Sequence, residues 1–238
     1  MRNLLFLFSL SSLLLYIAPV KAQTLAEILE KHHEAIGQEK LAALKTYSLE
    51  AMVNQMGMEL PMTVKVKRPD KFRMEMDIQG RKMVQAYDGE SGWLIAPWLS
   101  PEPTVLSGDE LRQARDQTNI DGPFYKLRER GLSAEFLGRD TMEGKECFNL
   151  KLIGKDGSEI FYFLDSETYY VLLAKRKVDV QGEVVDVETK MSNYQIKDGI
   201  AMAMEIESNS PMGTATIKIN KVDYNVPVDD SIFENPAK

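Results

Sequence analysis

Few residues of this chain have the type and spacing that could make or break a covalent bond. The only two histidines, His32 and His33, are neighbours, and on a helix adjacent side chains diverge by about 100°, a poor arrangement for chelating a metal. The run His33-Glu34-Ala35-Ile36-Gly37 begins like a zinc-protease helix but lacks the second histidine. Gly89-Glu90-Ser91-Gly92 lacks the glycine spacing of a nucleophile elbow. An enzyme is therefore not expected, nor a resident metal or cofactor. The chemistry the spacing does support is non-covalent binding of apolar groups. Met62, Val64 and Val66 alternate with Thr63, Lys65 and Lys67, and Phe72, Met74, Met76 and Ile78 alternate with Arg73, Glu75, Asp77 and Gln79. That is the two-residue period of strands with one wet and one apolar face. Met is flexible and polarisable, so a Met-rich face can remould around a variable apolar guest; the same pattern also serves a core in which Met fills gaps. With these residues we group Met52, Met83, Trp93, Ile95, Met202 and Met204 as candidate walls of an apolar cavity, and Leu111 and Phe124 as apolar plugs.

Elements that could position such a face are legible on both sides of it. Thr24 and Glu27 fit a capping box, with Leu25, Ile28, Leu29 and Ile36 along one helical face and Gly37 as the stop or kink before Leu41 and Leu44. The two histidines then belong to a solvated helix surface or to the edge of that helix's packing. The proline-rich Pro97–Pro103 leads to Ser107-Gly108-Asp109-Glu110, a second capping box with Leu106 and Leu111 as a hydrophobic staple. A helix is expected from Gly108 towards Gln117, with a further turn around Phe124 to Arg130. Beyond it, alternating strands are separated by the turn signals Gly154-Lys155-Asp156-Gly157, Gln181-Gly182, Lys197-Asp198-Gly199 and Pro211-Met212-Gly213. So many consecutive strands must curl, and their apolar face needs a cover. The expected fold is mainly β with α: a half-open antiparallel barrel covered by an N-terminal helix and an internal helical lid.

Residues 1–22 read as a secretory signal peptide: Arg2, an apolar run from Leu4 to Ala18, and Val20-Lys21-Ala22 at the cleavage position. The run is shorter than the roughly 20 residues that span a bilayer. Cleavage after Ala22 exposes Gln23 instead of a lipid-accepting Cys, so a soluble, unanchored protein outside the cytoplasm is expected. Residues 23–238 carry no linker or low-complexity segment and read as one domain. Without Arg2 and Lys21 the 29 basic residues become 27 against 36 acidic ones, and the charge moves from −7 to −9. No basic cluster could follow a phosphate backbone, so nucleic acid is not an expected partner. Cys147 is the single cysteine; it sits in a strand and reads as a quiet structural thiol.

Val66-Lys67-Arg68-Pro69-Asp70-Lys71-Phe72, followed by Tyr87-Asp88-Gly89-Glu90-Ser91-Gly92-Trp93 and Pro97, resembles the paired signature of the periplasmic outer-membrane lipoprotein carriers, the LolA-like family. The resemblance covers nearly the whole of residues 23–238. It implies a carrier that binds lipoprotein acyl chains or another lipid and moves it towards the outer membrane, between an inner-membrane transporter and an outer-membrane acceptor, as a monomer in the periplasm. Relatives of the same fold also include sensors and receptors, so the alternative is an envelope binding module that docks a protein partner without transport. Arg68 has its own physical reading. Pro69 ends the ladder and leaves a planar guanidinium at the barrel rim, able to bridge carbonyls of a lid. In the family the arginine of this motif holds the lid closed, and Arg68 is the matching position. Asp88-Gly89 reads as turn geometry.

Overall fold

The computed structural model describes residues 23–180, 182–211 and 213–237; residues 1–22, read above as a signal peptide, and Gln181 and Met212 of two expected turns, lie outside them. The chain begins with helices α1 (Leu25–Ile36) and α2 (Gln38–Ala43), followed by strands β1 (Thr46–Gln55), β2 (Met58–Lys67), β3 (Lys71–Ile78), β4 (Arg81–Tyr87), β5 (Gly92–Ala96) and β6 (Ser100–Val105). An insert carries α3 (Gly108–Asp116) and α4 (Leu127–Arg130). Seven strands close the series: β7 (Ser133–Met142), β8 (Lys145–Ile153), β9 (Glu159–Asp165), β10 (Val171–Val180), β11 (Glu183–Lys197), β12 (Ile200–Ser210) and β13 (Gly213–Tyr224).

All the strands join one antiparallel sheet in the order β6-β5-β4-β3-β2-β1-β13-β12-β11-β10-β9-β8-β7. The sheet curls but does not close, so β6 and β7 are its free edges, and the insert with α3 and α4 runs from one edge to the other. An open barrel with a helical cover follows directly from that connectivity. The cover is anchored in two places. α1 starts with both halves of the Thr24–Glu27 capping box and ends on left-handed Gly37; a Cβ at Gly37 would come within 2.0 Å of the Gly199 carbonyl oxygen, so the helix elbow touches the β11–β12 turn only because Gly is there. α3 forms where expected, yet Ser107 makes no side-chain cap bond, and the second capping box is not closed. Leu106 and Leu111 both approach Gly92 instead, where a Cβ would lie 3.1 and 3.0 Å from their methyl groups.

The proline-rich stretch expected as a lead-in loop contains β6, with Pro101 and Pro103 in it. It is an edge strand, where a missing backbone donor costs a ladder nothing on the solvent side.

Inside the curl lie two large apolar clusters of different character, with a smaller one of Ile36, Leu41, Leu44 and Ile200 beneath α2. The β7–β10 half is dry at its centre, where Phe148, Leu150 and Leu164 are fully buried with Ile28 of α1, and half-buried Leu29, Phe136 and Ile160 lie at its margin. The β1–β5 half, with β12 and β13, joins buried Leu49, Val53, Leu60, Met62, Val66 and Phe72 to half-buried Met74, Met76, Met202 and Met204.

Candidate functional site

Register decides which expected residues share the concave face. Met62 pairs with Ala51 and Met76, Val64 with Leu49 and Met74, and Val66 with Tyr47 and Phe72; Met83 pairs with Met76. Directly paired residues point the same way, so Met62, Val64, Val66, Phe72, Met74, Met76 and Met83 form one surface. Met202 and Met204 reach it from β12. Three expectations are corrected. Met52 pairs with Pro61 and Lys218, between inward-facing Ala51 and Val53, and so faces outward. Ile95 pairs with Val84, and Trp93 with Ala86, on the convex side. Trp93 is 1% exposed because the C-terminal segment crosses it: its indole N–H donates to the Phe233 carbonyl at 2.8 Å, and Arg73, also on that side, donates to the Ile232 carbonyl at 2.6 Å. Trp93 therefore anchors a strap on the back of the sheet and lines no cavity.

The plugs divide between the two halves. Leu111 of α3 packs on the Met-rich cluster, together with Leu106, Ala114 and Ile120. Phe124 instead enters the dry half among Ile28, Phe148 and Leu150, edge-on to His32 and Tyr162 at centroid distances of 5.5 and 5.0 Å. His32 is itself buried in the packing edge of α1. Its Nδ1–H donates to the Tyr169 carbonyl at 2.8 Å, since a carbonyl can only accept. Burial pushes its pKa down to about 4, against the raising effect of that hydrogen bond, with His33 lowering it further.

Arg68 stands at the latch-side end of β2 and ties three segments together. Nε donates to the Leu44 carbonyl at 2.7 Å and Nη2 to the Leu41 carbonyl at 3.3 Å, both at the end of α2. Nη1 donates to Asp121 Oδ2 at 3.0 Å, and Nη2 also contacts Oδ1 of the same carboxylate. The backbone carbonyls expected as lid acceptors thus belong to α2, and the lid itself offers a carboxylate in fork-to-fork geometry. Both side chains are largely enclosed, 27% and 18% exposed. A second arginine was not foreseen: Arg130 Nη1 donates to the carbonyls of Gly122, Pro123 and Tyr125 at 2.9, 3.3 and 3.2 Å. The loop from Asp121 to Tyr125 is thereby gripped from both sides, and the latch borders a groove of about 800 Å³. Gly-Pro at 122–123 marked a turn in the sequence, but nothing marked its arginine partners.

Near this end the sheet also opens. β12 pairs with β13 only over Glu205–Ser210 and Gly213–Lys218; below, the strands part beside a cavity of about 240 Å³ lined by Met202, Met204, Val222 and Tyr224 among others. Lys197 spans the gap to the Val222 carbonyl and to Asp223. Among the described residues no group of three His, Cys, Asp or Glu side chains could hold a metal ion, and no helix is long and apolar enough to cross a membrane.

Solved structures share the overall fold of this open sheet with its helical cover. A LolA superfamily protein from Nitrosomonas europaea matches 91% of this chain and 100% of its own at a TM-score of 0.61 and 14% identity. The chain has a LolA-like fold. A DUF1329 family protein from Desulfovibrio piger matches 88% of this chain and 98% of its own, also at 0.61, with 16% identity. A proposed outer membrane lipoprotein-sorting domain from Vibrio parahaemolyticus matches 88% and 98% at 0.58 and 14%. In sequence, an uncharacterised protein of Methanocaldococcus jannaschii is 25% identical over 168 residues, 68% of this chain and 47% of that relative, so this LolA-like chain spans about half the relative's length. No family model matches. In LolA-like terms the paired motifs have local work to do. Asp88 accepts from the Glu90 and Ser91 amides, Asp70 lies against Gly89, Gly92 seats the lid, and Arg68 holds it.

Proposed function

We propose that this chain is a periplasmic carrier of acylated lipoprotein or another lipidic cargo, taking the apolar chain between the Met-rich face and the α3 lid. The observation that carries the reading is how lightly the lid is seated. Ala114 is the only α3 residue fully withdrawn from water, and Leu111 is its one large apolar contact with the face. The remainder of its outer surface is Asp, Glu, Arg and Gln. Each methylene withdrawn from water contributes about 0.8 kcal/mol, so partial burial of one long acyl chain supplies on the order of 10 kcal/mol before ordering costs. A lid seated by a few apolar side chains can yield to that, and a polar latch can restore it when the cargo leaves. Delivery runs towards the outer membrane, in line with the leader read at residues 1–22.

A fluorescent fatty acid titrated into the purified protein tests the reading. Met76→Asp puts a charge on the cavity wall and is expected to abolish binding, whereas Lys65→Gln, on an exposed outward position of β2, leaves it intact; circular dichroism confirms that both fold. Equal binding by folded Met76→Asp and wild type would place the guest elsewhere and remove the proposal. Lipid extraction of protein purified from its native envelope, followed by mass spectrometry, then names the cargo; an extract free of lipid would favour a module that docks a protein.

A further inference from the structure

Large apolar side chains stand exposed at one end of the sheet. Successive strands are antiparallel, so the β1–β2, β3–β4 and β5–β6 turns emerge together, at the end opposite Arg68. The ladders bring them level: Gln55 pairs with Met58, Met62 with Met76, Ile78 with Arg81, and Val84 with Ile95. With strands about 4.8 Å apart, neighbouring tips are roughly 10 Å from each other. On the first, Met56 is 75% exposed and Met58 40%; on the third, Leu99 is 79% exposed and Trp98 46%.

Charge is missing from the same tips. Gln55-Met56-Gly57-Met58, Gln79-Gly80 and Pro97-Trp98-Leu99-Ser100 contain no ionisable side chain, in a chain of which 27% is charged. The middle tip is capped from behind by Asp77, whose Oδ1 accepts from the Gly80 amide at 2.7 Å; at the other two tips wetting gains little, and removing them from water costs little beyond the backbone. The pattern does not suit a rigid protein partner, which needs about 800 Å² of continuous complementary surface; here separate apolar knobs flank the polar Gln79-Gly80 tip. A fluid phase closes around knobs without needing such a match. Trp is at home at the water–hydrocarbon boundary, and exposed Arg81, one residue behind the middle tip, is placed to reach back to headgroup phosphates.

We propose that these three hairpin tips dock the open rim of the sheet onto the interfacial layer of a lipid bilayer that is electrically neutral overall. The net negative charge of the chain gives it no attraction to an anionic surface, so the apolar tips must supply the binding. The Met-rich face runs towards this rim through Met76, Met83 and Ile78, away from the lid seat at Gly92, so a docked rim brings the outer end of that face to the lipid. The inference deepens the carrier reading by naming a bilayer as a surface at which cargo enters or leaves.

Phosphatidylcholine vesicles are the probe, with co-sedimentation and quenching by brominated acyl chains as readouts. The chain has two tryptophans, and Trp93 is enclosed, so quenching reports Trp98 directly. Wild type is expected to sediment with the vesicles and be quenched, equally in low and high salt. Trp98→Ser/Leu99→Ser should reduce partitioning at least about tenfold, since burial of one such side chain is already worth a factor of that order. Met56→Ser/Met58→Ser, on another tip, should weaken it independently. Ile196→Ser removes a side chain that is 67% exposed near the opposite end and should change nothing. No sedimentation, retention in both double variants, or binding that requires anionic lipid and vanishes in salt would each overturn the proposal. Fatty-acid binding in solution is read separately: if it persists while vesicle docking fails, the rim falls and the carrier stands, and if it fails while docking persists, the reverse holds.

Discussion

Asp121→Asn isolates the lid from everything else that Arg68 does. The asparagine keeps size and shape but gives up the charge and one of two acceptor oxygens, so the fork loses one bond and its charge assistance, while the bonds from Arg68 to the Leu41 and Leu44 carbonyls persist. Hydrogen bonds to charged groups are worth about 1.5–3 kcal/mol. With roughly a quarter of each side chain wet, water replaces part of the loss, which leaves about 1.5 kcal/mol. At 1.4 kcal/mol per factor of ten, the open-lid population should rise about tenfold. Hydrogen exchange reads it: amides of α3 and of the loop to Asp121 should exchange about ten times faster, while those of α1 and β8 stay as protected as in wild type. Arg68→Leu strips both sets of bonds and should also loosen α2. Arg68→Lys should fall between, since it keeps the charge without the planar fork. If Asp121→Asn leaves lid exchange and fatty-acid uptake at wild-type values, the ion pair is ornamental and the latch idea is refuted.

Arg130→Gln should accelerate exchange in residues 122–126 several-fold and leave α3 less affected, because it removes the donor to three loop carbonyls; unchanged exchange there would contradict the two-sided grip. His32 gives the fold an acid edge. Its folded pKa, about 4, lies below the unfolded 6.5, so the unfolded chain binds more protons in between, and stability present above pH 6.5 drains away as pH falls to about 4. The loss reaches up to about 3 kcal/mol. Urea midpoints measured across that range should fall, and should fall much less in His32→Phe; equal slopes in the two proteins would clear His32 of the role. Trp93→Phe keeps the packing but cuts the indole bond to Phe233. About 1 kcal/mol of stability should go, with faster exchange confined to residues 228–235, and fatty-acid binding should be untouched because Trp93 faces away from the cavity.

Much of the fold was legible because two-residue alternation and turn residues specify a meander locally. The errors in the site are errors of parity. Met52 and Met62 both lie on apolar-looking strands, but the tight Met56-Gly57 turn pairs Gln55 with Met58 and hence Ala51 with Met62. Met52 then has to face out. Counting through the hairpin would have shown it. Trp93 and Ile95 fail in the same way, since Tyr87 pairs with Gly92 across the Asp88 turn. Asp121 could not be found by any local count: its pairing with Arg68 spans 53 residues, and only the path of the insert between the sheet edges brings the two together, whereas Arg130 stands only 5 to 8 residues from the carbonyls it holds but carries no turn or cap signal of its own. β6 was hidden for a different reason, because its prolines argue against a strand everywhere except at an edge.

The two halves of the interior explain why a polar latch suits a Met-rich face. α1 is rooted in the dry half through Ile28 and His32, both buried, the first among Phe124, Phe148 and Leu150. α3 rests on the soft half, where half-buried Met side chains conform to whatever lies on them. Were the lid held by a broad apolar contact, cargo could open it only by replacing that contact in full, and the binding energy would shrink to the difference. In the proposed carrier, a lid held by Arg68 and Asp121 would resist through a directional ion pair that an acyl chain does not compete for, while the face beneath would keep most of its capacity to bury the chain. Opening can then proceed by releasing two charged groups to water, with α1 and the β7–β10 half still folded beside it.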